Sequence, residues 1–407
     1  MLKFNNSVNI RQIITFSTLT ERPVLLENIR IFEQPQGVSQ YEIKFMRLVE
    51  KISNGAKFEI GTNGTTVKYY PGIITNNEGM QFDFECGKDR NITYYLEYLI
   101  ILALFGKTGL QVNLKGITND NIDNSIDNLQ NVCIPLLKKF GVDGEIKFKV
   151  NKRGFRPEAG GEVFVQIPFV KFLRSISFTE KGMIKRVRGV ACGGKISPQI
   201  LNDIISKVRE ILNDYLPDVW IYSDFCNKTK MGPSRGYGIS LFAETNNGAY
   251  ICAEDCYDEN REKEENFNIG ERVALQLLDE ILYSGAVDSF SQTFMLNLMV
   301  LAEKKLNFVK LGRVTSYTIE NIRIIRQFTG VTFKITKANK EKYDKLKEQL
   351  DEQKEMEEEQ EQQEEEDNSD ENQQEDQQNK EEDIPDPALM IFSCYGVGLQ
   401  NMARVTF

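Results

Sequence analysis

Lys185, Arg186 and Arg188, preceded by Lys181, are the best sequence candidate for a contact with nucleic acid or an acidic partner. On an alternating strand the same residues are as readily a solvated face. Gly160-Gly161 could let backbone amides approach a phosphate, although a glycine pair between two strands more often makes only a hairpin. Cys252 and Cys256 are the one close pair of thiols. The 407 residues include no histidine and no second such pair, so a zinc site there would lack two ligands and no metal is expected. The missing imidazole also removes the side chain that most readily trades protons near neutral pH.

The elements that would hold these residues fall into a chain long enough for two or three domains. Between Asp351 and Asp383 stand 18 acidic residues and two lysines, a local net of −16. Against the formal −10 of the whole, that leaves +6 for the remainder, which is therefore mildly basic. Seven scattered cysteines fit a reducing compartment better than a disulfide framework. The apolar run 94–105 is broken by Glu97 and is shorter than the roughly 18 residues of a spanning helix. The first eight residues carry no targeting pattern, so the chain reads as soluble and intracellular, with no membrane partner.

Apolar spacing predicts helices over 38–52, 93–105, 126–140, 198–215, 271–283 and 319–328. Strands are expected after each of the first three and the last: a hairpin across Asn63-Gly64, 110–114, 145–150 with 162–167, and 331–335. The recurring helix and strand order suggests one domain built from similar α/β units. The residues from 183 to 270, with strands at 219–222 and 239–243, read as a smaller insertion. The division is thus 1–182, 183–270, 271–340, an acidic segment 341–386 expected to lack structure, and final strands over 387–407.

Several segments, in order, resemble the RNA 3′-terminal phosphate cyclase family, and specifically its cyclase-like branch in eukaryotic ribosome biogenesis. They are Ser17-Thr-Leu-Thr-Glu-Arg-Pro23, Gly61-Thr-Asn-Gly-Thr-Thr-Val67, Gly116-Ile-Thr-Asn-Asp120, Arg153-Gly154 with Gly160-Gly161-Glu162-Val163, Val187-Arg-Gly-Val190, Tyr317-Thr-Ile-Glu320 and Gly396-Val-Gly398. The resemblance implies an α+β fold, with a large domain of three repeated α/β units and a smaller inserted α/β domain.

A cyclase of this family carries AMP on a histidine. The matching position here is Tyr317, whose phenol has an ordinary pKa near ~10 and is a poor nucleophile toward ATP. The acidic, glycine-rich opening of cyclases is replaced by Phe4-Asn-Asn-Ser-Val-Asn9, an acidic partner of Gln292 by Ser291, and an arginine after Arg30 by Glu33. The resemblance leaves Arg11, Arg30, Arg153, Gln292, Arg323 and Arg326 as candidates to face an RNA phosphate, with core-edge ion pairs as the competing role for arginines. It implies no cofactor and no cyclase activity. The expected role is that of a nucleolar assembly factor, in which the fold docks onto a ribosome-assembly GTPase, the box C/D snoRNP and pre-rRNA of the small-subunit processome. The alternative is a pre-rRNA endonuclease working near Arg323, with Asp288 or Glu320 as the carboxylate.

Overall fold

The computed structural model describes residues 1–5, 9–338 and 389–401. The acidic segment and residues 6–8 of the altered opening lie outside them.

Leu2–Asn5 (β1) and Val24–Glu27 (β2) run parallel, joined by the helix Ile10–Thr20 (α1). Gln40–Ile52 (α2) then leads into Lys57–Ile60 (β3) and Val67–Tyr70 (β4), which are antiparallel, and the sheet order is β1-β2-β4-β3. A second sheet has the same order and senses. Phe82–Glu85 (β5) is parallel to Leu110–Gly116 (β6) across the helix Ile92–Leu104 (α3). A helical run follows, Ile126–Asn128, a π-turn Leu129–Cys133 and Ile134–Lys139 (together α4), and then Lys147–Lys152 (β7) and Gly161–Ile167 (β8) complete the order β5-β6-β8-β7.

Ser177–Phe178 (β9) starts a third sheet that the chain leaves at once for a fourth. Ile184–Gly194 (β10), Pro198–Leu212 (α5), Val219–Cys226 (β11), Gly236–Thr245 (β12), Tyr250–Cys256 (β13) and Ile269–Tyr283 (α6) form the sheet β11-β10-β12-β13 with two helices on one face. The chain then returns through Gln292–Leu301 (α7) to Leu306–Leu311 (β14), parallel to β9. Ser316–Thr329 (α8), Lys334–Lys337 (β15) and Met390–Tyr395 (β16) close the third sheet in the order β9-β14-β16-β15.

The helix α6 runs across the boundary placed at 270. Ile269, Val273, Ala274 and Leu277 of α6 bury against Ile204, Val208 and Leu212 of α5 and Leu241 and Ala253 of the fourth sheet. That helix therefore belongs with the 183–270 segment, because its apolar stripe has no other core to enter.

α1 was not expected from the sequence, and its energetics explain why. Ile10, Ile13, Ile14, Thr15, Thr18 and Thr20 are β-branched, each up to about 0.7 kcal/mol worse than Ala in a helix. Burying Ile10, Ile13, Ile14 and Phe16 to 1 % exposure or less contributes roughly 1.5–3 kcal/mol apiece and outweighs that cost. The helix packs on α3 and α8, and the Phe16 ring stacks 6.0 Å from Phe328. α8 itself starts at a Thr315 cap, whose Oγ1 accepts from the Thr318 amide at 3.1 Å, and stops at Gly330, where φ is +73°.

Candidate functional site

The first turns of α1 and α8 meet on the middle of α3. From α1, Arg11 donates to the Tyr94 carbonyl at 2.5 Å, to Glu97 Oε2 at 3.4 Å and to the Tyr317 hydroxyl at 3.3 Å. Its guanidinium lies 3.9 Å from the Tyr94 ring centre and 4.9 Å from that of Tyr98. Tyr317, from α8, shares a hydrogen with Tyr98 across 2.9 Å. Burial pushes the Tyr317 phenol upward; Arg11 opposes this, but the phenol stays above its ordinary value. The Tyr98 phenol is raised by burial and again by Tyr317 and Glu97. Burial also disfavours the Arg11 charge, but Tyr317, Tyr94 and Glu97 outweigh it, so the guanidinium stays charged. The oxygen of Tyr317 is therefore a protonated hydroxyl fixed between two partners, the opposite of an activated nucleophile.

Two more arginines flank this cluster. Arg30, whose φ is +44°, donates to the Gly37 carbonyl at 3.0 Å and pairs with Glu42, the same carboxylate that accepts the Ser39 amide at 2.7 Å at the start of α2. Arg90 grips Asp123 with two nitrogens, Nε at 2.7 Å, and lies 4.4 Å from the Tyr94 ring centre. Nothing in the local sequence sets Arg90 apart from Lys88, and only the fold brings it to the other two. Each of the three arginines thus holds one carboxylate: Glu97, Glu42 and Asp123. A phosphate entering here has to compete with those ion pairs, and the geometry shows the core-edge pairing that was the alternative for Arg11 and Arg30.

The remaining candidates are dispersed. Gln292, 1 % exposed, donates to the Arg313 carbonyl at 2.8 Å and accepts from the Thr318 hydroxyl at 3.0 Å, so it holds the start of the helix that carries Tyr317. Arg153, 4 % exposed, is bound by Asp127 and by Asp224 of β11 at 3.1 Å, with its backbone bonded to Lys230 and Gly232. It ties the second sheet to the fourth and presents no open donor array. Ala159 and Gly160 both have positive φ, and a Cβ on Gly160 would stand 2.4 Å from Pro233. On Gly161 it would stand 2.8 Å from the Gly116 carbonyl oxygen. The glycine pair is there for close packing.

The residues of the basic cluster have different partners. Lys181 caps the C-terminal end of α6 through the Ile281 and Ser284 carbonyls, and burial lowers its ammonium to about 8. Arg186 pairs with Glu244 and Arg188 with Asp218, both at 2.6 Å, and Lys185 alone is exposed without an ion pair to any described residue. Arg323 and Arg326 are exposed on α8, and Arg323 pairs with Glu320 one turn earlier. Asp288 is buried beneath the amides of Cys252 and Ser291, at 3.1 and 2.8 Å, where it binds the fourth sheet to α7. All seven cysteines are free and buried. Among the described residues no helix is long and apolar enough to cross a membrane, and no group of three His, Cys, Asp or Glu side chains could hold a metal ion.

Three sheets of one order, with the first turns of α1 and α8 meeting on the middle of α3, define an α/β protein. The chain belongs to the RNA 3′-terminal phosphate cyclase family, whose model matches residues 2–335. It is 37 % identical over 419 residues to a probable RNA 3′-terminal phosphate cyclase-like protein of Dictyostelium discoideum, with both chains covered in full. It is 40 % identical to the RNA 3′-terminal phosphate cyclase-like protein of Homo sapiens, over 80 % of this chain and 87 % of that one. It is 35 % identical to the rRNA processing protein rcl1 of Schizosaccharomyces pombe, over 77 % of this chain and 86 % of that one.

Proposed function

We propose that this chain is a cyclase-like assembly factor in pre-rRNA processing, working without nucleotidyl transfer of its own. The observation that carries the reading is Tyr317: at the position the resemblance gives to the nucleophile stands a phenol, buried, raised and locked by Tyr98 and Arg11. The kinship with an rRNA processing protein supports the pathway and a nuclear, nucleolar place of work. In this reading the three like-ordered sheets are repeated units of one large domain, and the fourth sheet with α5 and α6 is a domain inserted between β9 and α7. The retained fold serves to bind a ribosome-assembly GTPase of the small-subunit processome, with the box C/D snoRNP and pre-rRNA in the same particle. No cofactor enters the reading.

The test is depletion of the endogenous protein and rescue with full-length wild type or Tyr317→Phe. Equal recovery of small-subunit rRNA, with both proteins bringing down a GTPase and pre-rRNA, is the expected result. Failure of Tyr317→Phe at normal abundance would reject a non-catalytic role, and cleavage of a pre-rRNA substrate by the pure chain, lost on Arg323→Ala with Arg326→Ala, would favour an endonuclease.

A further inference from the structure

The fourth sheet ends in β11, which is bonded to β10 on one side and to no further strand among the described residues. Register sets Trp220 beside Arg188 and Tyr222 beside Val190, alternating with Val219 and Ile221, which pack with α5 and α6, and the Arg209 guanidinium of α5 lies 5.9 Å from the Trp220 ring centre. The β12–β13 half of the face that carries Tyr222 is covered: Ser240 and Glu254 bond to Ser125 at the start of α4. The β10–β11 half is open. Trp220, the only tryptophan of the chain, is 52 % exposed and Tyr222 is 58 % exposed, with their rings 6.1 Å apart at 70°. At its far end the strand is overlain by Arg153, which pairs with Asp224. The accessible edge is thus Val219–Ser223.

An uncovered strand edge is a row of main-chain donors and acceptors, and proteins usually blunt it with lysine, proline or a bulge. Here the exposed positions carry Trp220 and Tyr222 instead. Large aromatics of that exposure are the residue types that dominate protein interfaces. The geometry nearby argues for the same kind of occupant: Arg188 is held by Asp218 and Arg186 by Glu244, the Arg209 guanidinium already lies 5.9 Å from the Trp220 ring centre, and the rings, tilted at 70°, offer no flat platform for successive bases.

We propose that Val219–Ser223 receives an extended segment of another protein as an added strand, with apolar side chains at alternate positions of that segment lying over Trp220 and Tyr222. The proposal goes beyond the assembly-factor reading and does not depend on the state of the Tyr317 cluster, so either can fail alone.

The experiment replaces Tyr222 with benzoylphenylalanine in the full chain, irradiates cells, and maps the crosslinked product by mass spectrometry. A synthetic peptide of the captured segment is then added to purified wild type. The expected result is one protein segment, slowed hydrogen exchange at the amides of 219–223 on peptide addition, and at least a 30-fold loss of peptide affinity in Trp220→Lys with Tyr222→Lys. The melting temperature of that variant should be unchanged, because both side chains are mostly in solvent. Crosslinks to RNA or to a second copy of this chain, no crosslink at all, or peptide binding that leaves those amides unprotected would each overturn the proposal.

Discussion

The phenolic oxygens of Tyr98 and Tyr317 stand 2.9 Å apart, and Arg11 reaches the second of them at 3.3 Å. α3 and α8 are thereby joined through two phenols, with the charged Arg11 guanidinium on the second. The Tyr317→Phe substitution removes the shared hydroxyl and leaves Tyr98 and Arg11 each short of one partner. The expected cost is about 1–2 kcal/mol, seen as a lower urea midpoint with an unchanged m-value.

Arg153 and Arg188 separate a buried ion pair from an exposed one. Arg153→Ala leaves Asp127, 5 % exposed, with no opposing charge in the layer between the second and fourth sheets, and should destabilise by about 3–5 kcal/mol. Arg188→Ala frees an exposed Asp218 and should cost no more than ~1 kcal/mol. Urea unfolding of the two variants measures the difference, and similar costs would show that Arg153 does not clamp the sheets.

Lys181 and Lys185 looked alike in sequence, as members of one basic cluster. Their structural roles predict unlike outcomes. Lys181→Ala loses the cap on α6 and should cost about 1–2 kcal/mol, whereas Lys185→Ala should fall within about 0.5 kcal/mol of wild type. Thermal melts of the two variants decide it.

Glu254 makes stability depend on pH. It accepts from the Ser125 amide at 2.7 Å and from the Ser125 and Ser240 hydroxyls, yet burial raises its carboxyl to about 7. An unfolded glutamate titrates near ~4.3, so between these values the native state binds the extra proton. This contribution is complete below about pH 4.3 and is lost as pH rises through about 7, on the order of 4 kcal/mol in all. Glu254→Gln should therefore gain stability relative to wild type as pH rises from 5 to 8. A pH-independent difference between the two proteins would contradict the assignment.

How much of this was legible in the sequence depends on the kind of signal. α2 has polar and apolar residues at clean helical spacing with Ser39 and Glu42 at its start, and it was found nearly to the residue. α1 and α7 are buried all round, so neither shows a polar face, and β-branched residues in α1 argue locally against a helix. The resemblance placed Arg11, Arg30 and Tyr317 near one another in function but could not say which carboxylates they hold. Glu42 and Glu97 sit on α2 and α3 as ordinary helix residues, and Asp123 lies in a loop 33 residues beyond Arg90. Arg153 and Gln292 were singled out as phosphate-facing candidates. Their partners, Asp127, Asp224 and Thr318, are all distant in sequence, and only tertiary packing reveals that their hydrogen bonds are already taken.

The most direct test of the central claim is to incubate the purified full-length chain with ATP labelled on the α-phosphate, with and without an RNA ending in a 3′-phosphate, and to measure covalent AMP on the protein and cyclised RNA ends. The account predicts neither product above a no-protein control, from pH 6 to 9. A protein-bound AMP that disappears in Tyr317→Phe, or RNA ends cyclised in step with ATP consumed, would contradict it.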